Sequence, residues 1–175
     1  MGKALLLSAL LFLFGLQSMA QETPKAEVFG GYQYTRLNIE GSGLNFNGWN
    51  ASVAGNINKN FGIAADFGAA YKSESGASLN IYTYTFGPVV SLNHEGIVNP
   101  FVHALFGGAH ASASLTGVGS ASANGFTMMM GGGVDVKLAP HIAVRMVQAD
   151  WLYYHIQGVS ESKNVRISTG IVFRF

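Results

Sequence analysis

The last eleven residues of the chain alternate between two kinds of side chain. Apolar or weakly polar residues occupy every odd position from Val165 to Phe175. Between them lie Arg166, Ser168, Gly170 and Arg174, with Val172 as the one apolar exception. A period of two places the two sets on opposite faces of a β-strand. The aromatic end is unlike the frayed polar termini of soluble domains, so the pattern predicts a closing strand with lipid outside and water inside.

The first twenty residues have the order of a secretory signal peptide. Lys3 is followed by an apolar run over residues 4–16, and small side chains at Ser18 and Ala20 precede a cleavage site before Gln21. The alternative is a transmembrane anchor, but this run is too short to cross about 30 Å of hydrocarbon. We therefore expect residues 1–20 to be removed and residues 21–175 to form one domain.

Composition narrows the class of protein. Hydrophobic residues make up 49% of the chain and charged residues only 11%, against about 25% charged in an ordinary soluble domain. Beyond the signal peptide nine basic residues balance nine acidic ones, which argues against nucleic acid as a partner. There is no cysteine, so disulfides and thiolate metal sites are excluded. No later segment is a continuous apolar helix, so a membrane would have to be crossed by strands.

Eight segments show period-two alternation bounded by turn residues. They cover residues 26–37, 48–57, 61–72, 79–92, 98–111, 126–138, 142–154 and 164–175. The parity breaks around residues 148–150, which predicts a β-bulge. Long connections over 38–47, 73–78, 112–124 and 155–163 alternate with short turns, as in an outer-membrane barrel with short turns and both termini in the periplasm. The predicted fold is all-β, an eight-stranded antiparallel up-and-down transmembrane β-barrel; a soluble lipocalin-like barrel is the rival.

Several motifs resemble one family. They are Asn-Pro-Phe-Val-His-Ala-Leu-Phe-Gly-Gly over residues 99–108, Gly-Gly-Gly-Val-Asp-Val over 131–136, His-Ile-Ala-Val-Arg over 141–145, Gln-Ala-Asp-Trp over 148–151 and Ile-Val-Phe-Arg-Phe over 171–175. This set is similar to the bacterial outer-membrane β-barrel domain family of small OmpA/OmpX-type barrels. The resemblance implies a barrel over residues 21–175, integral to a Gram-negative outer membrane, and it implies no reaction.

The resemblance also carries expectations about partners. Ile171, Phe173 and Phe175 match the C-terminal signal by which such barrels are recognised, so we expect the barrel-assembly machinery as a partner. Outer-membrane lipid and lipopolysaccharide are the other expected partners of the barrel, which we expect to be a monomer.

The charged residues within the segments mostly share the polar parity. They are Glu27, Asp66, Lys72, Asp135, Lys137, Arg145, Arg166 and Arg174. The interior of an eight-stranded barrel is just wide enough for side chains, and charges there must be paired. The pattern predicts a structural ion-pair network in the lumen, with Asp135–Arg145 and Asp150–Arg166 as partners on consecutive strands. A narrow ion path or proton relay is the alternative.

The sequence offers little support for chemistry. The five histidines lack metal-ligand spacing, so neither a metal nor another cofactor is expected. His110 and Ser112 lie two residues apart, and small barrels that deacylate lipid A use such a pair with a Glu. No Glu occurs between residues 96 and 160, which leaves a lipid A-modifying acyl hydrolase as a remote alternative.

The sequence therefore predicts a protein without catalytic activity that supports the envelope or presents surface loops. A narrow pore and a surface ligand-binding or adhesion barrel remain the nearer alternatives.

Overall fold

The computed structural model describes residues 24–39, 42–74, 77–93, 96–115, 117 and 119–175, so the predicted signal peptide lies outside the described residues. Eight strands follow one another: β1 (Ala26–Ile39), β2 (Ser42–Asn56), β3 (Phe61–Glu74), β4 (Ala77–Ser91), β5 (Val98–Leu115), β6 (Gly119–Ala139), β7 (Ile142–Ile156) and β8 (Val159–Arg174). Within these ranges no helix is long and apolar enough to cross a membrane.

The strands close into a barrel. Each strand pairs antiparallel with the next, and β8 returns to pair with β1. This confirms the predicted eight-stranded antiparallel barrel. Both ends of the described chain meet at one rim, where the Lys25 N–H donates to the Phe175 carbonyl over 2.7 Å and the Phe175 N–H donates to the Ala26 carbonyl over 2.9 Å. We call this rim the terminal end and the opposite rim the distal end.

The prediction of long distal loops is wrong. Residues 42–47, 112–115, 119–124 and 159–163 belong to strands, and successive strands at the distal end are separated by only two or three residues. The last of these connections is a two-residue turn at Gln157 and Gly158, both with positive φ, which is the conformation of tight hairpins. Ser, Ala, Asn and Gly dominate these stretches, so their composition indicated loops, whereas pairing with neighbouring strands fixes them as sheet.

The burial of side chains in the closing strand, β8, shows which face of the sheet lies outside the barrel and which faces the lumen. Val165, Ile167 and Ile171 are exposed on the outside, whereas Arg166 and Ser168 are buried in the lumen. The predicted bulge is confirmed, because the β7–β8 register shifts between Arg145 and Gln148. The outer face also carries a set of exposed aromatic rings: Tyr32, Trp49, Phe67, Tyr71, Tyr84, Phe86 and Trp151. An apolar outer face with aromatic rings is the surface that a lipid-embedded barrel presents.

Candidate functional site in the lumen

Arg166 is the centre of a buried polar cluster in the lumen. Its Nη1 donates to Asp66 Oδ1 over 2.7 Å, and its Nε donates to Asp150 Oδ2 over 2.8 Å. Asp150 has two further partners, because its Oδ1 lies 2.9 Å from His103 Nε2 and its Oδ2 accepts from Gln148 Nε2 over 2.8 Å. One guanidinium therefore joins carboxylates from β3 and β7, and β5 adds the imidazole.

Arg145 links this cluster to the terminal end. Its Nε and Nη2 donate to the two carboxylate oxygens of Asp135 over 2.8 and 3.1 Å, and its Nη1 donates to Gln148 Oε1 over 2.7 Å. The guanidinium carbon lies 4.4 Å from the ring centre of Phe29 and 4.2 Å from that of Phe101. A planar cation between two aromatic faces gains cation–π attraction where water is scarce.

Arg174 extends this chain of ion pairs and hydrogen bonds to the terminal end of the lumen. Its Nε lies 3.0 Å from Glu27 Oε1, and its Nη2 lies 3.7 Å from Asp135 Oδ2. Asn50 also joins the cluster, because its Nδ2 donates to Asp66 Oδ2 over 3.3 Å. The lumen network is the set formed by Glu27, Asn50, Asp66, His103, Asp135, Arg145, Gln148, Asp150, Arg166 and Arg174. In it four carboxylates face three guanidinium groups and one imidazole, so nearly every buried charge lies beside an opposite one.

The structure brings together six of the eight charged residues that the sequence assigned to this network. The buried members are Glu27, Asp66, Asp135, Arg145, Arg166 and Arg174. The other two residues, Lys72 and Lys137, lie outside the network. Each is close to one rim of the barrel.

Lys72 lies near the distal end, where its Nζ is 2.7 Å from Glu74 Oε2. This ammonium group holds the pKa of the exposed Glu74 carboxyl below its ordinary value, through a hydrogen bond first and charge attraction second. Lys137 is exposed near the terminal end of β6. Neither lysine reaches the buried ion pairs.

The distal half of the lumen is filled by apolar side chains. The distal plug consists of Leu37, Phe46, Ala70, Ala109, Leu152 and Tyr154, all buried in one cluster. Leu44, Leu79, Ile81 and Ile156 pack against it. These residues lie toward the distal ends of their strands, so the plug stands above the lumen network and separates it from the distal rim.

A small cavity remains in the terminal half of the lumen. Its volume is about 30 Å³, and Glu27, Asn99, His103 and Asp135 are among the side chains that line it. This volume accommodates about two water molecules. Among the residues that the structure describes, no group of three or more His, Asp or Glu side chains is placed to hold a metal ion.

The His110–Ser112 pair lies outside the lumen, at outer positions of β5. His110 stands on the outer face near the distal end, stacked on Tyr82 with ring centres 6.4 Å apart. Its Nδ1 lies 2.7 Å from Asn124 Oδ1. In a catalytic triad this nitrogen is oriented by a carboxylate, and here an amide oxygen takes that position.

Sequence reasoning missed part of the site. Gln148 bridges Arg145 and Asp150 but lies at the bulge, where the parity of the strand changes. Phe29 and Phe101 were not assigned to the lumen, because apolar residues at inner positions have no signature of their own. The signal that could have found Phe101 is the weak alternation of its segment, since Phe101 and Leu105 are both buried inside.

A closed eight-stranded barrel with an apolar outer face and a filled interior defines a class of membrane protein. The chain matches the model of the outer membrane protein beta-barrel domain family over residues 6–175, and it belongs to that family. It is accordingly an integral protein of the outer membrane. No curated protein sequence matches the chain.

Solved structures of small outer-membrane barrels share the fold. Neisserial surface protein A has 14% sequence identity and a TM-score of 0.74, with 86% of this chain and 97% of that chain covered. The attachment invasion locus protein Ail of Yersinia pestis has 21% identity and a TM-score of 0.63, covering 87% and 99%. OprG of Pseudomonas aeruginosa has 9% identity and a TM-score of 0.57, covering 89% and 99%. At these identities the likeness concerns the fold alone.

Proposed function

We propose that this protein is a non-catalytic, non-conducting barrel that supports the outer membrane and presents its distal hairpins outside the cell. The filling of the lumen carries this proposal. Ion pairs occupy the terminal half and the distal plug occupies the other half, so the barrel serves as a closed scaffold. Backbone groups in lipid must all be paired, and a closed sheet achieves this without an edge.

The same observation counts against a narrow pore. Conduction needs a continuous wet path, whereas an apolar constriction excludes water and ions. The distal plug places Phe46, Leu152 and Tyr154 across such a path, while the Arg166 and Arg145 ion pairs occupy the lumen below. A pore would therefore require both fillings to rearrange.

An acyl hydrolase is also disfavoured. The His110 imidazole is held by the amide of Asn124, and an amide cannot stabilise an imidazolium as a carboxylate does. We propose that His110 and Tyr82 belong to the aromatic surface of the outer face. Lipid A isolated from cells that produce the protein should keep its acyl chains, which mass spectrometry of the extracted lipid would test.

The remaining expectations follow from membership of the family and belong to this proposal. Residues 1–20 are the signal peptide, and residues 21–175 are the mature barrel. The barrel-assembly machinery recognises Ile171, Phe173 and Phe175, which all lie at the end of the closing strand. The barrel is a monomer surrounded by lipid and lipopolysaccharide, with its terminal end in the periplasm.

Single cysteines test the orientation, because the chain has none of its own. Ser114→Cys places a thiol at the distal end, and Leu138→Cys places a matched exposed thiol at the terminal end. A membrane-impermeant maleimide should label Ser114→Cys on intact cells and should label Leu138→Cys only after the outer membrane is permeabilised. The reverse labelling pattern would contradict the orientation, and recovery of the unlabelled protein without detergent would contradict the membrane barrel.

A further inference from the structure

The junction between β1 and β8 differs from the other seven junctions of the barrel. Each of the other seven joins strands that follow one another in the chain, through a connection of two to six residues. A connection of this length fixes which residues face each other across a hairpin. The β1–β8 junction, which we call the seam, has no such connection, because its two strands lie at opposite ends of the described chain.

The alternation of side chains restricts the register of the seam only in part. A slip of one residue would turn the inner charges of β8 toward lipid, which is costly. A slip of two residues would keep every side chain on its own face, and it would preserve the main-chain hydrogen-bond pattern of an antiparallel ladder. Contacts between particular side chains must therefore select the observed register from those that differ by two residues.

One ion pair lies directly across the seam. Of the ten opposed pairs that the structure describes between β1 and β8, Glu27 with Arg174 is the one in which both side chains are charged. Arg174 Nε lies 3.0 Å from Glu27 Oε1, and both side chains are buried. Among the described residues neither Nε nor Nη2 of Arg174 has a hydrogen-bond partner, so charge attraction rather than directed hydrogen bonding holds the pair.

Contacts on the other side of Arg174 hold it in place. Its N–H donates to the His141 carbonyl over 2.9 Å, and its own carbonyl accepts from His141 Nδ1 over 3.0 Å. His141 lies in the turn between β6 and β7. Arg174 Nη2 also lies 3.7 Å from Asp135 Oδ2 on β6. Arg174 is therefore fixed to the β6–β7 side of the barrel, and its contact with Glu27 joins that side to β1.

We propose that the Glu27–Arg174 ion pair selects the register in which the barrel closes. A slip of two residues in one direction would place Glu27 opposite Val172, so a carboxylate would face an apolar side chain. A slip in the other direction would place Phe29 opposite Arg174 and carry Glu27 beyond the end of β8. Either slip moves the two charges apart by about 7 Å along the strands. Selection of the register is independent of whether the closed lumen conducts ions.

Disulfide trapping on the purified protein, refolded from urea into lipid vesicles, measures the register directly. Ile171→Cys is combined in turn with Gly30→Cys, its partner in the observed register, and with Val28→Cys or Tyr32→Cys, its partners after a slip of two residues. All four positions are exposed on the outer face, and the chain has no cysteine of its own. A disulfide needs Cα atoms within about 7 Å, so directly opposed residues form it and residues on the diagonal form it poorly.

The unmodified seam should cross-link through the cysteines at 30 and 171, and the two slipped pairs should give at most about a tenth of that yield. Arg174→Met should raise the yield of the pair at 32 and 171 about tenfold. The physical reason is that Glu27, without its cation, reaches water when β1 passes the end of β8. Arg174→Lys keeps the positive charge and should retain the original pattern of cross-links.

Two further variants separate register from stability. Arg145→Met removes a buried cation of the lumen network away from the seam, so it should destabilise the barrel and leave the pattern of cross-links unchanged. Glu27→Gln removes the other charge of the pair with little change in shape and should raise the same slipped pair, by a smaller factor, which provides a test even if Arg174→Met does not fold. An unchanged pattern in Glu27→Gln or in folded Arg174→Met, or a slipped pattern in Arg145→Met or Arg174→Lys, would overturn the proposal.

Discussion

The two halves of the lumen are filled by opposite chemistry on the same inner face of the same strands. In the terminal half, Arg166 and Arg145 neutralise carboxylates contributed by facing strands. In the distal half, Phe46 and Leu152 belong to a buried apolar cluster that contains no ion pair. Both sets of side chains block the lumen, but the loss of one side chain has a different consequence in each half. Loss of one partner in the network leaves an unpaired buried charge, whereas truncation in the plug leaves a cavity.

This difference shows that the position of a residue in the alternation of a strand determines which face its side chain occupies. The position does not determine whether that side chain is charged or apolar. On β8, Arg166 and Val172 are both inner residues, one in the lumen network and the other packed against Phe29 and Ala143. The lipid-facing part of the outer face has no such division, because hydrocarbon accepts only apolar side chains. The interior of this barrel therefore accepts a wider range of side-chain chemistry than the lipid-facing surface does.

Removing the central cation should give the largest effect. Arg166→Met leaves Asp66 and Asp150 buried without their main partner, and we expect the free energy of unfolding to fall by about 5 kcal/mol. Urea unfolding in lipid vesicles, followed by the fluorescence of Trp49 and Trp151, measures this loss. The matched control is Arg36→Met, an exposed arginine on the outer face, for which a change within about 0.5 kcal/mol is expected. Equal losses in the two variants would refute the role of the network.

Truncation in the distal plug should cost less. Leu152→Ala removes a buried side chain from a site that relaxes only partly, and we expect a loss of about 3 kcal/mol in the same unfolding experiment. Leu138→Ala, at an exposed position, is the control and should be nearly neutral. If Leu152→Ala were as harmless as its control, the distal half would be loosely filled, and the comparison with the network would fail.

A substitution that keeps the positive charge of Arg145 but changes the shape of the side chain separates the contribution of ring stacking from that of ion pairing. Arg145→Lys retains the positive charge beside Asp135 but loses the planar contact with Phe29 and Phe101 and the paired hydrogen bonds. We expect a loss of about 2 kcal/mol. A double-mutant cycle with Phe101→Leu should show that the two changes are not additive. Strict additivity would mean that the rings only fill space.

The exposed pair at the distal rim should matter least. Lys72 lowers the pKa of Glu74, so any stabilisation is present above the ordinary pKa of a glutamate and is lost as the pH falls through the lowered pKa. Because Glu74 is fully exposed, solvent screens the pair. The unfolding midpoints of Glu74→Gln and the native protein should coincide at neutral pH and at pH 3. A clear separation at neutral pH that disappears in acid would show that the rim pair contributes to stability.

The sequence predicted those parts of the molecule in which alternation is strict. The closing strand, the eight strands, the bulge near Gln148 and the inner position of Arg166 all follow from a period of two. The lengths of β5 and β6 at the distal end could not be predicted, because Ser, Ala and Gly suit turns as well as strands. The distal plug was missed because an inner Leu152 and an outer Leu138 are the same residue in sequence, and only closure of the barrel separates them.

Ion conductance across planar lipid bilayers tests the central claim most directly, since a lumen filled at both levels passes no current. The purified native protein should show no channel events at any voltage that the bilayer withstands, as should the Arg36→Met control. Discrete and reproducible conductance steps from the native protein would contradict the account, because they would require a continuous wet path past both the Arg166 ion pairs and the distal plug.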